Sequence, residues 1–313
     1  MSGLLMTSLA RTYLQRRHVK VDMKSITPKE SRRVELCSKI GENDARAAEE
    51  LAFAARPLIQ ATLPHSRTAG TNYVRRNGNL TLEVRASADY GLPYGVIPRV
   101  LIIWMTSEAC RKKSRTLEMG KNLSEFMRKL DIPIEGRAIA QLKKQMDSLF
   151  TSVFYVRYNV SEGGRTGLGH ELITPVKNYI CWDTPKDISQ PNLFPNELTL
   201  FEDFYKDIIS LPVPVDLRAI RGLRKSPMAV DIYEWLTLKN YYAKRPTVIP
   251  WDALQFQFGA GYPNTTRGRL NFKAKFKAAL VSVGQVYEDA KKLRPETEHL
   301  LFIPGRPHVL PKG

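Results

Sequence analysis

Two stretches of this chain, about 130 residues apart, run through the same succession of local patterns, and that recurrence restricts the fold more than any other feature. The first opens on "IPRVLIIWMTSEACRKKS", apolar enough for a buried helix, and continues through "RTLEM", a short strand. "NLSEFMRKL" and "GRAIAQLKKQMDSLF" then carry helical spacing, and "TSVFYVRYNV" alternates Phe154, Val156, Tyr158 and Val160 as a half-buried strand does. The second stretch repeats the order with "SPMAVDIYEWLTLKNYYAKRP", "TVIP", "WDALQFQFG" and "TTRGRLNFKAKFKAALVSV". It closes on "GQVYEDAKK" and "EHLLFIP", read as two strands and a turn. Trp104 and Trp235, Leu130 and Phe258, Phe150 and Leu280, and Val156 and Val286 are the equivalent landmarks.

Helix, strand, helix, helix, strand, strand is the order of a winged helix-turn-helix. The expected fold class is therefore α+β, two tandem winged helix-turn-helix domains preceded by a basic, partly helical leader. The leader is placed at residues 1–75, the first domain at 76–184, a linker region at 185–215 and the second domain at 216–313. Within the leader, Thr27 and Glu30 have the spacing of a capping box. The three prolines of "WDTPKDISQPNLFPNE" mark the break between the two blocks.

The third helix of each block carries the chemistry. In "TTRGRLNFKAKFKAAL", Phe272, Phe276, Leu280 and Val283 share one narrow stripe, while Arg267, Asn271, Ala274, Lys277 and Ala278 point broadly the other way. Arg269, Lys273 and Lys275 complete its basic set, and the segment contains no acidic residue. An outer face that is basic yet slim suits close approach to a polyanion. In "GRAIAQLKKQMDSLF" the inner face is Ile139, Leu142, Met146, Leu149 and Phe150, and the outer one is Arg137, Gln141, Lys144 and Ser148. Arginine and lysine suit guanine, glutamine and asparagine suit adenine, and an alanine admits a thymine methyl, so both faces are candidate readers of a major groove. The glycine-rich turn "SEGGRTGLGHE" reads as a wing tip with Arg165 at its apex. Arg111, Lys112, Lys113, Arg115, Arg218, Arg221, Arg224, Lys225, Lys244 and Arg245 are expected near the DNA backbone.

Charge supports the same partner. Lys and Arg number 48 against 31 Asp and Glu, a formal charge of +17, which favours double-stranded DNA or another polyanion. No membrane span is expected, because the longest strongly apolar run is the six-residue "VLIIWM". "MSGLLMTSLA" lacks the leading positive charges of a secretory signal, and three scattered cysteines support neither a zinc knuckle nor a disulfide framework, so a cytoplasmic location is expected. The five histidines include no His-x-His pair, and the glycines match no phosphate-loop pattern. No catalytic residue, metal or cofactor is therefore expected, and the protein is read as a non-enzyme.

The phrases "LPYGVIPRVLIIWMTSEACRKKSRTLEMGKNLSEFMRKL", "SPMAVDIYEWLTLKNYYAKRPTVIPWDALQFQFG", "FKAKFKAAL" and "LLFIPGRPHV" together resemble the plasmid-encoded RepA replication initiators, over about residues 85–310. The resemblance implies an initiator of plasmid DNA replication that binds direct repeats, iterons, in the origin and opens an adjacent AT-rich segment. It also implies recruitment of the host helicase with DnaA, repression of the initiator's own gene at an operator, copy control, and a monomer-dimer equilibrium. It places "GRAIAQLKKQ" and "RGRLNFKAKFK" as the two reading helices. One departure, the lone glycine of "IPIEGRA" where a more glycine-rich turn is expected, leaves the start of the first reading helix and the role of Arg137 open. A tandem winged-helix transcription regulator is the alternative that composition does not separate from an initiator.

Overall fold

The computed structural model describes residues 28–60, 62–78, 80–162, 165–181, 196–259 and 261–310. Helix α1 (Pro28–Glu42), strand β1 (Leu51–Ala54) and helix α2 (Arg56–Gln60) come first, followed by β2 (Asn72–Asn77) and β3 (Leu80–Arg85). The first repeated block gives α3 (Val96–Lys112), β4 (Thr116–Gly120), α4 (Leu123–Lys129), α5 (Gly136–Phe150), β5 (Val153–Glu162) and β6 (Arg165–Ile173). Strands β7 (Val176–Ile180) and β8 (Asn196–Leu200), helix α6 (Glu202–Ser210), strand β9 (Val213–Asp216) and helix α7 (Leu217–Leu223) lead to the second block. That block consists of α8 (Pro227–Tyr242), β10 (Thr247–Pro250), α9 (Trp251–Phe258), α10 (Thr266–Val286), a 3-10 segment at Glu288–Lys292, β11 (Arg294–Pro295) and β12 (His299–Phe302). Both blocks thus have the winged-helix order that their sequences predict.

Local chemistry sets the ends of these elements. Asn122 caps α4 by accepting the Glu125 N–H at 2.9 Å, and Ser226 caps α8 ahead of Pro227, which suits a first helical position. Lys113, at φ 52°, turns the chain out of α3 in the left-handed conformation that commonly ends helices. In each block the first helix holds the second by an edge-to-face aromatic pair. Trp104 meets Phe126 at 4.8 Å, and Trp235 meets Phe258 at 5.7 Å. The final landmark pair does not survive: Val156 lies in β5, but Val286 ends α10, which at 21 residues outruns the 15 of α5. The segment around Glu288 and Asp289, read as strand, is the 3-10 turn instead.

The two wings are built differently. In the second block β10, β12 and β11 form one antiparallel sheet, with the first strand joined to the wing. In the first block β5 and β6 extend the β2–β3 hairpin into a four-stranded sheet, and β4 pairs with β8 beside β7. The hairpin that recruits the wing comes from residues 72–85, so the packing crosses the leader boundary placed at residue 75.

More of the leader is drawn into the fold than its basic composition suggests. Strand β1 pairs antiparallel with β9, Leu51 opposite Asp216, and this buries Ala52, Ala54 and Ile59 in the core of the second block with Val213 and Val215. The expected linker region is thereby partly strand, while its residues 185–195, like Thr27 of the capping box, lie outside the described residues. A second core, built on Leu101, Met105, Phe126, Leu142, Leu149 and Phe154, belongs to the first block.

Helices α3 and α8 join the two blocks through a buried ion pair. The Arg99 guanidinium donates to both carboxylate oxygens of Asp231, at 2.5 and 2.7 Å, and to the carbonyls of Leu63 and Gly95. His65 reaches the same carboxylate at 2.7 Å. Burial alone would raise the Asp231 pKa, but Arg99 and His65 outweigh it and hold the carboxyl below its usual range. Arg99 is likewise held charged by Asp231 against the opposing effect of burial.

Candidate nucleic-acid interface

Helix α5 begins at Gly136 and puts Arg137 in its first turn, exposed. Lys144 is exposed and Gln141 half-buried on the same side, so these three share a face. Ser148 does not. It is fully buried, with its hydroxyl 3.0 Å from the Tyr90 carbonyl and 2.8 Å from that of Lys144. Gln145 turns inward as well, accepting the Tyr94 N–H at 2.8 Å. The segment 90–94 lies against this side of α5 and covers a polar strip that helical periodicity alone assigns to the outside. Ser148 is therefore corrected from a DNA-facing residue to a packing one.

Helix α10 keeps its expected division. Phe272, Phe276, Leu280 and Val283 are buried, and Trp251 packs edge-to-face on Phe276 at 5.7 Å. Arg267, Asn271, Ala274, Lys275, Lys277 and Ala278 are all exposed. The outer face also carries Leu270 and Val281, 60% and 61% exposed, so its apolar content exceeds the two alanines read from the sequence. Arg269 and Lys273 are half-buried at the margins. Arg269 pairs with Asp252 at 3.2 Å, and Lys273 donates to the Thr297 carbonyl at 2.9 Å. Lys273 and Lys277 both place their ammonium groups over the Trp251 ring, 5.6 and 5.8 Å from its centroid. This tethers two flexible side chains beside the exposed basic face of α10 without removing their charge.

The start of α10 depends on one glycine. Thr265 caps the helix by accepting the Gly268 N–H at 3.1 Å, and a β-carbon on Gly268 would fall 2.0 Å from the Pro263 carbonyl oxygen. The turn can therefore fold back on its own helix only because residue 268 has no side chain. In the first block, β5 and β6 form a long hairpin with Arg165 opposite Glu162, exposed at the start of β6, as a wing tip requires. The two glycines at the tip, residues 163 and 164, lie outside the described residues.

The supporting basic residues divide. Lys113, Lys244 and Arg245 are exposed. Arg111 pairs with Glu108, Lys112 with Glu118 and Arg115 with Glu202. Arg218 is buried, clamps Asp216 at 2.8 Å and donates to the carbonyls of Lys39 and Asn43, fastening α1 to α7. Arg221 pairs with Glu50, and Arg224 binds Asp131 and the Leu130 carbonyl, tying the blocks together. These three arginines hold the fold rather than a ligand. Sequence reasoning passed over Arg75, Arg76 and Arg85 on the β2–β3 hairpin. Their signal was the Asn77-Gly78 dipeptide between alternating residues, a strong hairpin indicator, with Gly78 at φ 56°.

Among the described residues no group of three His, Cys, Asp or Glu side chains is placed to hold a metal ion, and no helix is long and apolar enough to cross a membrane. Two solved structures are similar to this chain at low identity. The selenomethionine derivative of domains 2 and 3 of RctB matches at 10% identity and a TM-score of 0.46, over 72% of this chain and 82% of that one. A second structure of RctB domains 2–3 matches at 12% identity and a TM-score of 0.43, over 71% and 82%. No curated protein matches the sequence. The pattern of the family described as "Plasmid encoded RepA protein" matches residues 92–253, from just before α3 into α9, and stops short of α10. With more than half of its length inside that match, the chain belongs to the plasmid-encoded RepA family.

Proposed function

We propose that this protein is a plasmid replication initiator that binds direct repeats in its origin through α5 and α10. The observation that carries the proposal is the pair of third helices on one chain. Each is packed by an apolar face onto its own winged-helix core and presents basic, amide and small side chains outward, joined on α10 by Leu270 and Val281. Tethering two such faces raises the local concentration of the second once the first is docked, which suits repeats longer than one helix can read. The net charge of +17 supplies sequence-independent attraction to the duplex.

In this reading the protein acts by binding, without a catalytic step or cofactor, in the bacterial cytoplasm with its plasmid. Bound copies promote opening of an AT-rich tract and recruit the host helicase and DnaA. Dimers on an operator repress the initiator's own gene and so limit copy number. Membership of the RepA family supports the initiator role. Footprinting on DNA flanking the gene, at two salt concentrations, tests it. Regular protection over direct repeats that weakens steeply with salt is the expected result. Protection of one promoter-like inverted repeat alone would assign a transcription regulator, and strand cleavage would assign a nicking enzyme.

A further inference from the structure

Beside α10, at the seam between the two blocks, lies a cleft of about 420 Å³. Strand β2, from the hairpin that extends the first block's wing, lines one side with Arg75 and Arg76, while Asp252, Phe256, Asn264 and Arg269 line the other from α9, the turn after it and the start of α10. The only carboxylate among its lining residues, Asp252, is already paired with Arg269.

Charge balance behind this cleft is unusual. Arg75 is 2% exposed, yet no hydrogen bond of good geometry reaches its Nε or Nη1, although the Tyr73 ring lies 5.1 Å away. Its neighbours in electrostatic range are Tyr73, Asp231 and Arg99, and Asp231 is committed to Arg99 on both oxygens. Three other titratable groups nearby carry no charge at neutral pH. Burial keeps His65 neutral by lowering its pKa, and burial, with Asp231 second, raises Glu234 to about 8. Tyr73 is raised to about 12 by burial. At neutral pH the seam therefore buries two guanidinium groups against one carboxylate. A buried guanidinium with two nitrogens unpartnered and no carboxylate of its own is costly, and an anion held nearby offsets its charge.

We propose that this cleft is a phosphate site shared across the seam, in which Arg76 and Arg269 receive the anion and the buried charge of Arg75, on the opposite face of β2, attracts it from behind. This deepens the reading of α10 as a DNA-contacting helix and rests on it. Arg269 lies on the first turn of α10 and Asn264 just before its cap, so a phosphodiester held here belongs to the backbone beside the groove that α10 enters. The site is composite. The first block clamps the strand that the second block reads, and the phosphate in turn stabilises the seam.

Arg76 is exposed, so Arg76→Ala tests the site without disturbing the core; Arg75→Met, which removes the buried charge but keeps most of the side chain's length, accompanies it. Binding to repeat-bearing and unrelated duplexes is measured across salt concentrations, with melting of the free protein in inorganic phosphate and in ATP as a second readout. The expected result is a similar affinity loss for Arg76→Ala on both duplexes and a log–log salt slope shallower by about one. If phosphate or ATP instead raises the wild-type melting temperature, and the variants lose that rise, the site serves a free phosphorylated ligand. Unchanged slopes together with no phosphate-dependent rise, in folded variants, would overturn the site. Failure of the wild type to bind any duplex would sink the initiator reading instead, leaving the melting readout to decide the cleft.

Discussion

Glu234 offers a sharp energetic test of the seam. It lies on α8, three residues from Asp231, 7% exposed, and burial followed by the Asp231 charge raises its pKa from the ordinary 4.5 to about 8. In the unfolded chain the carboxyl ionises near its ordinary value, whereas in the folded protein it stays protonated until the pH approaches 8. Folding then requires a proton that the unfolded state has already released, so stability falls as pH rises between these limits. Below pH 4.5 both states are protonated and the group contributes no difference. At pH 7 the gap is about 2.5 pH units above the unfolded value, or roughly 3 kcal/mol at 1.36 kcal/mol per unit. Above pH 8 the penalty levels off near 5 kcal/mol on the same scale. Glu234→Gln keeps the shape and cannot ionise. In urea unfolding followed from pH 4 to 8.5, the variant should match the wild type at the acid end and gain progressively through neutrality. A constant difference across that range would show that Glu234 titrates normally, and would remove the charge imbalance on which the seam cleft depends.

Three further outcomes follow from the interface. Lys144→Ala and Lys277→Ala should each weaken repeat binding by about 1–3 kcal/mol in gel-shift titrations, with unchanged circular dichroism, since both side chains are exposed. Ser148→Ala should behave oppositely: about 1 kcal/mol less stable by denaturant titration for its lost hydrogen bonds, with DNA affinity of the folded fraction intact. Gly268→Ala should destabilise by about 1–3 kcal/mol and reduce DNA affinity, because its β-carbon collides with the Pro263 carbonyl and displaces the turn before α10. An alanine variant with wild-type melting temperature would refute that packing.

What the sequence revealed is what lies within one element. Helix α5 runs over the same fifteen residues as the segment with helical spacing, β10 is "TVIP" itself, and Asn122 and Ser226 cap where amide and hydroxyl side chains precede apolar runs. What it concealed depends on distant partners. Ser148 reads as outward on a helical wheel, and only the chain at Tyr90, 58 residues away, buries it. Arg218 reads as a surface cation, but the Lys39 carbonyl of α1 and the Asn43 carbonyl just past its end complete the burial that Asp216 begins. The first wing illustrates the same limit. Alternation in β5 predicts a strand, but its pairing with β3, Val84 opposite Phe154, is invisible without the hairpin that precedes the block. Outward faces of α5 and α10 were legible because burying Phe272, Phe276, Leu142 and Leu149 leaves their opposite sides nowhere else to point.

The central claim, that one chain reads a repeat with two helices, is tested most directly by hydroxyl-radical footprinting of a single direct repeat with block-specific variants. Arg137→Ala combined with Gln141→Ala addresses α5, and Arg267→Ala combined with Asn271→Ala addresses α10. Two helices docked on adjacent groove segments predict that the first pair erases protection at one end of the repeat and the second pair at the other. Uniform loss along the whole repeat from either pair, or full protection retained with one pair altered, would contradict it.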